Sequence, residues 1–209
     1  MSCYDKTILL GNGSFDSKEC VEILKTSDIV VTNPPFSLFR EYMQVLLKYN
    51  KDFIILGSYS ALTYKMMFTA YMEKRLFLGQ HVDAGYPFIR PDESEQRVCS
   101  NWYTSFPIKR VIPKLQLTKH YAPEEYPKYD NFDAIHVESI RDIPIDYDGY
   151  MGVPLNFIDY VNNDGYAEFD IIKFRTGDDG KDLRLPSTYN DAGGGQSLWF
   201  RIIIQHHRN

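Results

Sequence analysis

The sequence contains no long hydrophobic run. A helix that crosses a membrane needs about 18 apolar residues in succession, and no stretch of this 209-residue chain approaches that length. The opening MSCYDKTILL has an acidic residue and only a short apolar run, unlike a secretory signal peptide. We therefore expect a soluble, cytoplasmic protein without a membrane role, built as one domain with at most a smaller appendage.

Cysteine and histidine are scarce, and their spacing does not suit a metal. The three cysteines are odd in number and lack the close pairs of a zinc site or a disulfide framework. The five histidines contain no H-E-x-x-H pattern, and the pair His206 and His207 is typical of a solvated tail. We predict reduced thiols and no metal site.

An excess of positive charge is also missing, since the formal net charge is -5. Charge of this sign repels a polyanion, so contact with nucleic acid requires a local basic patch. The best DNA-binding candidates follow Trp102 and Tyr103 in a short basic segment that also includes His120. These candidates are Lys109, Arg110, Lys114 and Lys119. A solvated loop explains the same composition equally well.

The first third of the chain alternates between strand and helix patterns. Asp16 and Glu19 have the spacing of a capping box and predict a helix over 17–25. The β-branched run at 28–32, which carries no charge after Asp28, predicts a parallel strand that is covered on both faces. A second helix, capped by Ser37, has an apolar stripe. The stripe consists of Phe39, Tyr42, Met43, Leu46 and Leu47.

The alternation continues with a buried strand at 53–57, a third helix at 61–75 and another strand at 76–78. The residues of the third helix that we expect to face inward are Leu62, Met66 and Phe68. This order predicts crossovers onto one sheet. We expect residues 1–106 to form the catalytic part of an α/β domain, as a partial Rossmann-like, doubly wound sheet.

The pattern changes at residue 107. Frequent proline, aspartate and tyrosine with turn signals indicate short strands, and the segments 171–174 and 198–204 are candidates for a strand pair. We expect 107–209 to be an α+β or β-rich region that serves target recognition.

The residues that indicate chemistry are Asn33, Pro34, Pro35 and Phe36, which we call the NPPF segment. In an open α/β sheet, ligands bind beyond the carboxyl ends of the strands, and this segment follows the predicted strand directly. Proline lacks an N–H group and biases the preceding residue toward extended backbone. The segment is therefore a rigid loop that offers carbonyl acceptors.

Two such acceptors can activate an exocyclic amine. Adenine N6 is a poor nucleophile because its lone pair is delocalised into the ring. Hydrogen bonds from N6 to the Asn33 side-chain carbonyl and the Pro34 main-chain carbonyl would favour a pyramidal nitrogen that attacks a methyl sulfonium. Phe36 offers a ring face for a base flipped out of the duplex. The alternative, an ordinary Pro-Pro turn after a strand, is uncommon with these flanking residues.

The stretch DIVVTNPPFSLFREY resembles the catalytic segment of adenine-specific DNA methyltransferases of the EcoRI modification-methylase-like family. The resemblance continues through DFIILGSYSALTYK, YPKYDNFDAIHVESIRDIP and DYDGYMGVPLNFIDY, and so covers most of the chain. It implies N6-adenine methylation of double-stranded DNA with S-adenosylmethionine as donor, usually within restriction-modification.

The chain departs from the family pattern in one respect. Members have, ahead of the catalytic segment, a strand that ends in a Gly-rich loop for the methionine moiety, then an acidic residue for the ribose. We expect this chain to begin too late to contain them, so activity would need a missing N-terminal segment or subunit. The only upstream candidate, Gly11-Asn12-Gly13, is a weak signal on its own.

The resemblance instead places this upstream loop against the cofactor adenine. The cofactor-binding candidates that it implies are Ser14, Phe15, Asp16 and Phe39. Family members commonly have an acidic residue where this chain has Ser14, and Asp16 either replaces it or only caps its helix. Phe39 belongs to the apolar stripe, so a place in the core is the alternative for it.

Two other functions remain open at this point. One is a non-catalytic DNA-recognition or partner subunit that retains a methyltransferase fold, against which the intact NPPF segment argues. The other is methylation of an RNA base or a protein glutamine, which related Asn-Pro-Pro-aromatic enzymes perform.

Overall fold

The computed structural model describes residues 8–79, 86–110, 115–160, 168–174, 176–186 and 200–207. The chain divides into two compact units, Met1–Ile108 and Lys109–Asn209, whereas the sequence suggested a division after residue 106. Within the described ranges, no helix has both the length and the apolar character that crossing a membrane requires.

Unit 1 is a mixed α/β unit. Its α-helices are α1 (Lys18–Thr26), α2 (Phe39–Lys48) and α3 (Lys65–Met72). Its strands are β1 (Ile29–Thr32), β2 (Asp52–Ser58), β3 (Phe77–Leu78), β4 (Tyr86–Ile89), β5 (Glu95–Val98) and β6 (Ser100–Thr104). Four of these strands form one sheet in the order β1-β2-β6-β3, and β4 and β5 form a separate antiparallel hairpin.

The first helix begins one residue later than the capping-box prediction required. Ser17 is the N-cap, and its hydroxyl accepts a hydrogen bond from the Cys20 N–H at 3.2 Å. Its extended backbone makes Lys18 the first helical residue, so Asp16 lies outside the cap. The predicted capping box of Asp16 and Glu19 is therefore wrong.

The β1-α2-β2 crossover agrees with the sequence pattern. β1 pairs in parallel with β2, with Val30 opposite Phe53 and Thr32 opposite Ile55. The apolar stripe of α2 is confirmed: Phe39, Met43 and Leu46 are buried, and Tyr42 and Leu47 are half-buried.

The predicted cap of this second helix is wrong. A 3-10 turn, Phe36–Leu38, leads into α2, and the N-cap is Leu38, without a side-chain hydrogen bond. Ser37 lies inside this 3-10 turn and is not the residue that caps α2.

The sheet is not the doubly wound parallel sheet that we expected. β6 lies between β2 and β3 and runs antiparallel to both. The hairpin of β4 and β5 lies between β3 and β6 in the order of the chain. Strand order of this kind depends on non-local pairing that periodicity does not reveal.

The prediction that β1 is covered on both faces is also wrong. Its burial alternates, and Ile29 and Val31 are exposed on one face of the sheet. Val30 and Thr32 share the other face with Phe53 and Ile55, which are buried. Among the residues that the structure describes, only that second face of the parallel pair is covered.

The third predicted helix is interrupted. Tyr59–Thr63 forms a 3-10 turn, and α3 starts only after Tyr64, whose backbone is extended. Leu62 and Phe68 are buried as predicted. The change of helix type rotates the face, so the fully buried methionine is Met67, and the predicted Met66 is half-buried.

Unit 2 is β-rich in its described part. Its strands are β7 (Ala134–His136), β8 (Tyr150–Pro154), β9 (Phe169–Phe174) and β10 (Arg201–His206), in the order β7-β8-β10-β9. β9 and β10 pair antiparallel, which confirms the predicted strand pair; residues 198 and 199 of that prediction lie outside the described residues. The buried residues Ile202, Ile203 and Ile204 form the centre of this sheet.

A buried histidine adds a polar element to this unit. The Tyr129 hydroxyl lies 2.9 Å from His136 Nδ1, and His136 Nε2 lies 2.8 Å from the Glu138 carboxylate. Burial lowers the pKa of His136, and the hydrogen bond from the ring lowers the pKa of Glu138. The first shift favours a neutral imidazole that accepts from the Tyr129 hydroxyl, and the second favours an ionised Glu138 carboxylate that accepts from His136 Nε2.

The contact of α2 with β2 yields a stability prediction. A Cβ added at Gly57 would overlap the ring of Phe39, which is buried and packed against Tyr103. We expect Gly57→Ala to lower the free energy of unfolding by about 1–3 kcal/mol, as overpacking does in close-packed cores. Urea denaturation measures this loss.

The same substitution in a Phe39→Leu background provides the control. A smaller side chain at residue 39 leaves room for the added methyl group, so Gly57→Ala should cost less there. An equal loss in both backgrounds would show that the ring contact is not the cause.

Candidate active site

The NPPF segment lies at the carboxyl end of the parallel strand pair. β1 ends at Thr32, opposite Ile55 of β2, and Asn33 follows directly. Asn33 is exposed and Pro34 is buried, so the segment is anchored by one proline while its amide side chain faces solvent. The Phe36 side chain is 38% exposed, which leaves part of the ring accessible to a ligand.

Two carbonyls of the NPPF segment differ in their hydrogen bonding: that of Pro35 is used by the fold, and that of Pro34 is a candidate for catalysis. The Pro35 carbonyl accepts from the Leu38 N–H at 2.9 Å and so closes the turn that leads into α2. Among the described residues, no hydrogen bond engages the Asn33 side chain or the Pro34 carbonyl. The two acceptors that the sequence assigned to an exocyclic amine are therefore not used by the fold.

The loop with three of the cofactor candidates is tied to the same region. The Ser14 hydroxyl donates to the Asp16 carboxylate, and the Ser14 N–H donates to the Asn12 side chain at 3.0 Å. The Phe15 ring lies 5.1 Å from that of Tyr42, centroid to centroid, in the first turn of α2. The 3-10 turn at the end of the NPPF segment leads into α2. The contact between Phe15 and Tyr42 therefore holds the cofactor-candidate loop near the amino end of α2.

Glu19 has a role that the sequence did not reveal. Its carboxylate accepts hydrogen bonds from the N–H groups of Leu10, at 2.9 Å, and Gly11, at 3.0 Å. These N–H groups lie just before and at the start of the Gly11-Asn12-Gly13 loop. Within that loop, Gly13 has a positive φ of 73°. The sequence did contain a signal for this role, because Glu19 is an acidic residue in the first helical turn after a Gly-x-Gly loop. The capping-box spacing suggested a different role for it.

Phe39 lies apart from the other cofactor candidates. It is buried, its ring centroid lies 5.6 Å from that of Tyr103, and its ring fills the space beside Gly57. This placement supports the alternative of a core residue, and the cofactor role of Phe39 stays a prediction.

The basic segment divides into structural and exposed residues. Arg110 is 4% exposed at its side chain, forms an ion pair with Asp159 at 3.0 Å and donates to the Ile158 carbonyl at 3.2 Å. The fold thus uses this guanidinium within unit 2. Lys109 and Lys119 are exposed, and Lys114 lies outside the described residues.

The neighbours of this basic segment are also engaged. His120 Nδ1 lies 2.9 Å from the Asp146 carboxylate. Tyr103 is buried, and its hydroxyl donates to the Ser58 carbonyl at 2.8 Å, while Trp102 is half-buried. We therefore assign Tyr103 to the core of unit 1 and not to base stacking.

Comparison with known families decides the assignment. The model of a family described as "Adenine-specific methyltransferase EcoRI" matches residues 2–206. The chain belongs to this family. The resemblance that rests on the NPPF segment is thereby confirmed.

Three curated members show how far the likeness to this methyltransferase family extends. The chain is 42% identical to the Type II methyltransferase M.EcoRI of Escherichia coli, over 95% of this chain and 63% of that protein. It is 38% identical to M.MgeORF184P of Mycoplasma genitalium, over 75% of this chain and 56% of that protein. It is 33% identical to M.MpnI of Mycoplasma pneumoniae, over 96% and 71%. No solved structure matches the chain.

Proposed function

We propose that this chain is the catalytic part of a methyltransferase that transfers a methyl group from S-adenosylmethionine to adenine N6 in double-stranded DNA. The observation that carries the proposal is the pair of unengaged acceptors, the Asn33 side chain and the Pro34 carbonyl, at the carboxyl end of a parallel strand pair. The family description and the Type II methyltransferases among the relatives support a role within restriction-modification.

The chemistry of the site follows from these acceptors. Asn33 and Pro34 each accept one N6–H hydrogen bond, which draws the nitrogen toward a pyramidal geometry and localises its lone pair. S-adenosylmethionine supplies an electrophilic methyl group when it is bound. Transfer would form the N6–C bond while the electron pair of the broken C–S bond stays on sulfur, and the proton that N6 then loses would pass to water.

The target base must leave the duplex to reach this loop. The part of the Phe36 ring that is exposed, two residues after Pro34, offers a stacking surface for the flipped adenine. We assign phosphate contact to the exposed Lys109 and Lys119, because Arg110 is held by Asp159.

The described residues fit the adenine end of the methyl donor. Asp16 is exposed and its carboxylate is oriented by the Ser14 hydroxyl, while Phe15 secures the loop against α2. A carboxylate so placed accepts a hydrogen bond from the adenine amine. The Leu10 and Gly11 N–H groups are bound by Glu19, so this loop does not present them to the donor's amino-acid end.

Substitution of Asn33 tests the catalytic assignment. The test uses this chain assembled with the part of M.EcoRI that it does not match. In that enzyme, Asn33→Ala should lower the methyl-transfer rate by about 10²-fold or more, because it removes an acceptor that acts in the transition state. Single-turnover kinetics measures the chemical step. Asn33→Asp keeps an acceptor at the same place and should retain more of the rate, whereas near wild-type rates in Asn33→Ala would refute the role.

Substitution of Phe36 tests capture of the base. Phe36→Ala should weaken binding of the flipped adenine by roughly 1–3 kcal/mol through the loss of one stacking contact. 2-Aminopurine at the target position reports flipping by its fluorescence. Phe36→Tyr keeps the ring face and serves as the control, and unchanged fluorescence in Phe36→Ala would count against stacking.

Donor binding by the isolated chain gives a third test. We expect poor affinity for S-adenosylmethionine, because in the described part of the loop before α1 the N–H groups of Leu10 and Gly11 are already bound by Glu19 and are not offered to the donor's amino-acid end. Losing several such bonds, some at about 1.5–3 kcal/mol each, moves an affinity from about micromolar to about millimolar or weaker. Isothermal titration calorimetry is the direct measurement. One-to-one binding in the micromolar range would show that the Gly11-Asn12-Gly13 loop holds the donor after all.

A further inference from the structure

An arginine and a tyrosine meet beside the candidate active site. The guanidinium carbon of Arg40 lies 5.6 Å from the centroid of the Tyr64 ring, a distance typical of a cation–π contact. Arg40 is the second residue of α2, and Tyr64 directly precedes α3. The contact therefore joins the start of one helix to the start of the next.

Both partners follow the carboxyl ends of the parallel strands. The NPPF segment and the turn Phe36–Leu38 connect β1 to α2, and the turn Tyr59–Thr63 connects β2 to Tyr64. Because β1 and β2 run parallel, their carboxyl ends lie at the same edge of the sheet. Arg40 follows Phe36 by about one helical turn. The guanidinium is thus held at the edge of the sheet from which the NPPF segment emerges.

The cation–π contact leaves the hydrogen-bond donors of Arg40 unused. A guanidinium stacks through its flat face, whereas its N–H groups point outward in the plane of the group. Arg40 is exposed, and among the described residues no acceptor binds these N–H groups, the carboxylate of its neighbour Glu41 included. The guanidinium of Arg110, by contrast, is held by Asp159 and the Ile158 carbonyl.

Positive charge at this edge matters because the chain as a whole is acidic. Its formal net charge is -5, so contact with a polyanion depends on local cations. Lys65, which follows Tyr64 directly, is also exposed and forms no ion pair with a described residue. Arg40 and Lys65 therefore supply two cations that no described carboxylate pairs with.

We propose that the Arg40 guanidinium, held by the Tyr64 ring, binds a DNA phosphate next to the adenine that enters the candidate active site. The proposal rests on the function proposed above, because that function supplies the flipped nucleotide. A nucleotide that leaves the duplex keeps a phosphate on each side, and a guanidinium can bind two oxygens of one phosphate in parallel. Arg40 is thus a binding residue, and Tyr64 is a positioning residue.

Binding of the full chain to a DNA duplex with one bulged adenine tests the proposal without reference to methyl transfer. The bulged adenine is already unpaired, so this probe supplies the flipped base without a known recognition sequence. Arg40→Ala should weaken binding at least about tenfold, because it removes a charged hydrogen-bond donor. The slope of log affinity against log salt concentration should fall by about one. Fluorescence anisotropy measures both quantities.

Lys48→Ala is the matched control. The Lys48 ammonium lies 5.5 Å from the Tyr49 ring at the other end of α2, so this variant loses the same charge and the same kind of contact. It should bind DNA like the wild type.

Substitutions of Tyr64 test its positioning role. Tyr64→Phe keeps the ring and should retain binding, whereas Tyr64→Leu should weaken it. Adding Tyr64→Leu to Arg40→Ala should cause little further loss, because the ring acts through the guanidinium.

The charge of the probe locates the contact. Methylphosphonates on both sides of the bulged adenine remove the negative charge there, so they should weaken binding by the wild type and have less effect on Arg40→Ala. The proposal alone is overturned if Arg40→Ala binds like the wild type with the same salt slope, or if the methylphosphonates weaken both proteins equally. Tighter binding to RNA of the same sequence, or no binding by the wild type, would contradict the proposed function as well.

Discussion

The packing of the Phe39 ring against Gly57 is the contact on which the candidate site depends. It joins the start of α2 to the end of β2 and leaves no space for a side chain at residue 57. Because the NPPF segment joins β1 to α2, the position of that helix fixes where the segment turns away from the sheet. The two candidate acceptors, the Asn33 side chain and the Pro34 carbonyl, thus follow a helix that is held by an apolar contact, and no hydrogen bond among the described residues engages them.

The two loops near this contact differ in which of their polar groups are hydrogen-bonded within the chain. In the NPPF segment the turn uses the Pro35 carbonyl and leaves the Pro34 carbonyl and the Asn33 side chain for a ligand. In the loop before α1 the opposite holds, since Glu19 occupies the N–H groups of Leu10 and Gly11. In the described residues, the NPPF segment thus offers two acceptors that suit an amine, whereas the N–H groups of Leu10 and Gly11 are already bound by Glu19.

The sequence predicted those features that depend on local pattern. β1, α2 and β2 follow from β-branched runs and one apolar stripe, and the NPPF segment follows from its position after β1. The insertion of β6 between β2 and β3 depends on pairing between distant residues, which no local period encodes. The role of Glu19 was missed for a related reason, because its partners lie outside the helix. The exposure of Ile29 and Val31 could not be foreseen either, since a short run of β-branched residues does not show which face of a strand is covered.

Identification of the methylated nucleoside tests the central claim most directly. The chain, completed with the unmatched segment of M.EcoRI, is incubated with labelled S-adenosylmethionine and, separately, with duplex DNA, RNA or protein, and each product is digested and analysed by mass spectrometry. We expect label in N6-methyl-2′-deoxyadenosine, and only in the sample that contains DNA. Label in a cytosine, in RNA or in glutamine would contradict it, and so would an assembled enzyme that binds DNA and the methyl donor but transfers no methyl group.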